Sequence, residues 1–144
     1  MRFNKTTEYA FRVFALMATN KTKLYRADEL FNFLKIPRSY LRKLLTELSK
    51  TGLMESIQGN KGGYRLSRDT NEISLMDIVR ATESQDDNKQ CFFGLSECKF
   101  GKKCKMHDNW ISIIERIEHL LITTTLSDLE DIETQKHIFD NMHL

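Results

Sequence analysis

IPRSYLRKLLTELSKTGLMESIQGNKGGYRLSR, residues 36–68, changes its periodicity halfway along. In the first half Leu41, Leu44, Leu45 and Leu48 recur at helical spacing and form one apolar face. At 100° per residue Ser39, Lys43, Thr46 and Lys50 lie opposite, flanked by Arg38 and Arg42. Pro37, the only proline, suits a first helical position because its missing N–H would have no partner there. Gly52 stops the helix. The second half holds two short strand-like runs, Leu53–Ile57 and Tyr64–Ser67, around Gly59–Gly63, whose glycines supply the positive-φ positions of a hairpin. Lys61 sits near its tip and Arg65 on the returning strand. A helix with a basic outer face followed by a basic hairpin is the pattern of a recognition helix and its wing.

Upstream, a short helix over about Ala27–Lys35, with Leu30, Phe31, Phe33 and Leu34 inward, completes a helix-turn-helix. Before it, about Asn4–Thr19 reads as a helix, capped by Asn4 or Thr6, with Ala10, Val13, Phe14 and Met17 on one stripe. Glu8 and Arg12 form an i, i+4 pair. Downstream, Ser74 and Asp77 start a further short helix through Ala81. The longest helix, about Lys105–Thr123, carries Trp110, Ile113, Ile114, Ile117, Leu120 and Leu121. That stripe is broader than one small head would cover, so a second copy of the chain is expected on it. Thr125 caps a last short turn.

Between these helices lies CFFGLSECKFGKKCKMHDNW, residues 91–110, with all three cysteines of the chain. Their spacing is C-x6-C-x5-C, and His107 follows Cys104 by three. Cys91, Cys98 and Cys104 with the His107 imidazole make a complete four-donor metal set. Neighbouring lysines stabilise thiolates, the form that binds metal. An odd cysteine count argues against a closed disulfide framework. On spacing alone the metal is iron–sulfur or zinc.

The chain has 144 residues, 40% hydrophobic and 29% charged, as expected of a globular protein. No apolar run approaches the ~20 residues of a membrane span. Arg12 interrupts YAFRVFALMA and no small-residue cleavage site follows, so no signal peptide is expected and the reading is cytoplasmic. Net charge is only +2, yet residues 38–68 hold seven basic side chains against Glu47 and Glu55, a local +5. Residues 125–144 hold five acids against Lys136, a local −4. One segment, the helix-turn-helix and wing, is thus fitted to a polyanion. No C-x-x-C and no nucleophile–base pair is present, so an enzyme is not expected.

The stretches TTEYAFRVFALMA, IPRSYLRKLLTELSKTGLMESIQGNKGGYRLSR, SLMDIVRATE, GKKCKMHDNW and TTLSDL, in that order, resemble the Rrf-type winged-helix regulators, the group that includes IscR, NsrR and RirA. The resemblance implies a homodimer held by the long helix, two winged helix-turn-helix heads on double-stranded DNA, and an iron–sulfur cluster on Cys91, Cys98 and Cys104. The Cys104, His107, Trp110 pattern looks most like the IscR branch, which implies His107 as fourth ligand of a 2Fe-2S cluster. The NsrR branch implies instead an acidic residue of the first helix, here Glu8, and a 4Fe-4S cluster stays open beside it. The sequence departs from the IscR pattern in three places: one extra residue between the first two cysteines, Arg42 for a base-reading glutamate, and Gln58 for a wing arginine. Cluster chemistry therefore carries over better than operator sequence.

The expectation is a mainly α fold with a small β-hairpin wing: a winged helix-turn-helix at 1–82, a cluster-binding loop at 83–104, and a dimerisation helix and tail at 105–144. Arg38, Ser39, Arg42, Lys43, Lys61 and Arg65 are expected at the DNA, with no membrane and no small-molecule substrate. The rival reading is a winged-helix regulator with structural zinc or no metal.

Overall fold

Asn4 opens the first helix by accepting the Thr7 N–H at 2.8 Å through its side chain, which satisfies one of the amides a helix start leaves without partner. In the computed structural model, which describes residues 3–83, 91–95 and 104–131 with positions 136 and 140, this helix is α1 (Lys5–Ala18). After it come α2 (Ala27–Leu34), α3 (Arg38–Ser49), β1 (Met54–Ile57), β2 (Gly63–Leu66), α4 (Leu75–Thr82) and α5 (Lys105–Thr123). One-turn 3-10 segments lie at Thr70–Glu72 and Leu126–Leu129. The mainly α architecture with a hairpin wing is as expected.

The leucines of α3 do what their spacing says: Leu41, Leu44, Leu45 and Leu48 are all buried, in one core with Val13, Phe14 and Met17 of α1 and Leu30 and Leu34 of α2. Each fully buried side chain of this size contributes about 1.5–3 kcal/mol over leaving it in water. Two expectations shift. Phe33 is 42% exposed rather than inward, because on an eight-residue helix the buried face is the Leu30–Leu34 stripe and position 33 falls beside it. Pro37 stands one place earlier than expected, as the residue before α3, with its carbonyl accepting the Leu41 N–H at 2.9 Å.

The wing pairs antiparallel in the register Met54↔Leu66, Glu55↔Arg65, Ser56↔Tyr64, Ile57↔Gly63. A Cβ on Gly62 would lie 1.9 Å from the Ile57 carbonyl oxygen, so position 62 is closed to any larger residue. A third segment joins the hairpin, unannounced by any periodicity: Tyr25 and Tyr64 exchange two backbone hydrogen bonds, both 2.8 Å. A Cβ on Gly63 would sit 2.8 Å from the Tyr25 carbonyl oxygen, so glycine permits this approach. The wing is thereby tied to the turn that enters α2.

At the other end, Ser74 and Asp77 form the expected reciprocal cap of α4, and the Thr125 N–H donates the matching bond to the Asp128 carboxylate at 2.8 Å. The two starts are joined by backbone bonds, Leu75 N–H to Thr124 O and Leu126 N–H to Ile73 O, each 2.9 Å. The C-terminal end of α5 is thus pinned to the head, and Leu121 and the half-buried Ile117 pack on Met76 and Val79. The rest of its expected stripe divides. Ile114 is also buried, whereas Ile113 is 49% and Leu120 61% exposed. No described helix is long and apolar enough to cross a membrane.

Candidate nucleic-acid interface and cysteine site

Of the six residues expected at DNA, Arg38, Ser39, Arg42 and Lys43 stand exposed on α3 and Lys61 at the wing tip, while Arg65 is half-buried on β2. Two of the arginines already have protein partners. Arg38 reaches Asp28 of α2 at 2.9 Å and lies over the Phe31 ring, 4.3 Å from its centroid. Arg65 pairs with Glu55, directly opposite it across the hairpin. Such exposed pairs are worth at most about 1 kcal/mol, but each sets a carboxylate beside the arginine. Tyr40 stacks edge-on against Tyr9 at 5.3 Å and shares a hydrogen bond with Thr6, so its ring orients α3 on α1.

The carboxyl of Glu29, in the first turn of α2, is held below its ordinary value of 4.5, first by accepting the Arg26 backbone N–H and then by Lys23. Its folded state therefore favours the carboxylate. The small stabilisation this carries is complete above the ordinary value and lost as pH falls through the lowered one.

Cys104 is the residue before α5, where the exposed amides of a helix start favour negative charge. His107 follows within the first turn, its N–H bonded to the Cys104 carbonyl at 3.0 Å. Both side chains are half-buried. Cys91 is half-buried as well, and neither it nor Cys104 is in a disulfide. The next residue, Phe92, packs edge-on against Trp110 at 5.4 Å between centroids. That contact draws the Cys91 segment onto the same end of α5 that carries Cys104 and His107. The sequence signal for it was an aromatic beside the first cysteine and another one turn past the histidine. Cys98 lies outside the described residues. Among those described, no three His, Cys, Asp or Glu side chains converge. Reduced thiols and an imidazole at one helix end are nonetheless a soft-donor set that fits iron–sulfur or zinc. Glu8, on α1, takes an ion pair from Lys5 at 2.9 Å.

Residues 3–131 match the model of the Rrf2 family, described as "Iron-dependent Transcriptional regulator". The chain belongs to the Rrf2 family. Its relatives include an Aquifex aeolicus protein described as a candidate HTH-type transcriptional regulator, 31% identical over 141 residues, 96% of this chain and 97% of that protein. The HTH-type transcriptional regulator IscR of Photobacterium profundum is 36% identical over 94 residues, covering 65% of this chain and 54% of that protein. Among solved structures, CymR, the global cysteine regulator of B. subtilis, superposes with a TM-score of 0.76 at 24% identity, over 90% of this chain and 96% of that one. This Rrf2 protein is accordingly a winged-helix, DNA-binding transcription regulator and not an enzyme.

Proposed function

We propose that this Rrf2 protein binds its operator as a homodimer, through α3 and the wing, with an affinity set by an iron–sulfur cluster on Cys91, Cys98, Cys104 and His107. The observation that supports the reading is the Phe92–Trp110 contact, which lays the segment of Cys91 against the end of α5 where Cys104 and His107 stand. When bound, a cluster of this kind supplies reversible one-electron chemistry and a target for oxidants. Cys104 and His107 would hold it against the start of α5, and Phe92 on Trp110 would keep water from the Cys91 side. Holding the loop in this way biases the spacing of two heads that must meet successive major grooves about 34 Å apart. The effector shifts DNA affinity only as far as its two states differ in affinity.

The test is anaerobic purification with visible absorption, iron and sulfide analysis, then operator titration before and after cluster removal. Colour, iron and sulfide with unequal operator affinities support the switch; a colourless zinc protein, or equal affinities, overturns it. On the DNA side, alanine at Arg42 or Lys43 is expected to flatten the salt dependence of binding by about one unit of log–log slope per protomer. A variant with alanine at Arg38, Arg42, Lys43 and Lys61 together that binds as wild type would refute the assignment of this face.

A further inference from the structure

A cleft of about 190 Å³ separates the wing from the start of α2, lined by Arg26, Ser56, Gln58 and Tyr64 with the backbone of Gly59 and Gly62. Its lining holds one cation and no carboxylate. Arg26 is exposed. Among the described residues no carboxylate is ion-paired with its guanidinium as Asp28 and Glu55 are with Arg38 and Arg65. Of the acids nearest in sequence, Asp28 is on Arg38 at 2.9 Å; Glu29 is on Lys23 at 3.4 Å and accepts the Arg26 backbone N–H at 3.0 Å, near enough for the Arg26 charge to help hold its carboxyl low. The position of Arg26 is also fixed, since it directly follows Tyr25, whose paired backbone bonds fasten that turn to β2.

We infer that this cleft seats a backbone phosphate of the bound duplex, with Arg26 as its positive partner. The inference rests on α3 and the wing facing DNA, and extends that face to a residue outside the basic stretch of 38–68. A guanidinium offers two parallel N–H donors to a phosphate, the geometry in which arginine outperforms lysine. A phosphate held at the junction of wing and α2 fixes the register of the duplex between helix and hairpin without reading bases. The bound phosphate makes no new demand on the fold, because the bridge from Tyr25 to Tyr64 is already in place.

The experiment is Arg26→Ala, with Arg26→Lys and Arg42→Ala beside it, titrated against operator and unrelated duplex DNA over a range of salt. Arg26→Ala leaves the backbone N–H that Glu29 accepts, and an unchanged melting temperature confirms that the head is intact. The expected result is weaker binding to both DNAs, with a log–log slope lower by about 1.8, about 0.9 for each protomer of the dimer. The deficit of the variant then shrinks about 12-fold between roughly 50 and 200 mM salt. Arg26→Lys recovers the slope but not the full affinity. If Arg42→Ala lowers the slope and Arg26→Ala does not, the cleft proposal is overturned while the DNA face stands. If neither does, the face itself is wrong.

Discussion

Anaerobically prepared Cys104→Ala protein is expected to be colourless, with iron and sulfide reduced to background. Cys104 stands immediately before α5 with His107 one turn on, so its loss removes the donor that fastens the site to the helix. Cys91→Ala and Cys98→Ala are expected to do the same, since a cluster needs every thiolate of its set. A Cys98→Ala protein that keeps a full, unaltered spectrum would refute the three-thiolate site. The fourth donor is separable by mutation. His107→Ala is expected to bleach or shift the visible bands while Glu8→Ala leaves them unchanged; Glu8 already has Lys5 at 2.9 Å. The reverse outcome would assign the fourth position to α1. Trp110→Ala touches no donor, yet is expected to quicken cluster loss by releasing Phe92 and, with it, the Cys91 segment.

The second large effect concerns assembly. Met106, Trp110, Ile113, Ile117 and Leu120 follow one another by four, three, four and three, the alternation of a coiled-coil seam. Met106, Ile113 and Leu120 are exposed on the single chain, alongside Ile117 and Leu121, which pack on the head. Placing aspartate at both Ile113 and Leu120 is expected to give a folded monomer, because neither side chain is buried within one copy. Operator affinity should then fall about 10²- to 10⁴-fold, the advantage that two joined heads have over one. Sedimentation and operator titration of the pair of variants decide the matter. Wild-type protein that sediments as a monomer at micromolar concentration would sink the dimer.

Local rules carried most of the fold. Asn4, the Ser74 and Asp77 box, and Thr125 with Asp128 act over three residues, where capping chemistry leaves little choice, and all three are where the sequence places them. The α3 leucines and the GNKGG loop are similarly local. What escaped needed contacts between elements. The bridge from Tyr25 to Tyr64 spans 39 positions and involves one residue on each side, too few to leave a period. Phe33 turned outward because burial on a short helix is set by what α1 and α3 leave uncovered. The partners of Arg38 and Arg65 follow from the α2–α3 turn and from the hairpin register, so a count of positive charge overstated what is free for DNA. At the cysteines, spacing named the donors, but the Phe92–Trp110 contact that brings two of the segments together is tertiary, and Cys98 lies outside the described residues.

The backbone bonds that fasten Leu75 to Thr124 and Ile73 to Leu126 make the far end of α5 a pivot. Nineteen residues at 1.5 Å rise give an arm of about 28 Å from that pivot to Cys104. Bond lengths at a metal centre are defined to about 0.2 Å. At the tip of such an arm, that tolerance corresponds to an angular error of about half a degree. Ligands gathered at Cys104 would therefore aim the whole helix, and a coordination sphere a few ångströms across would set the bearing of one head against the other.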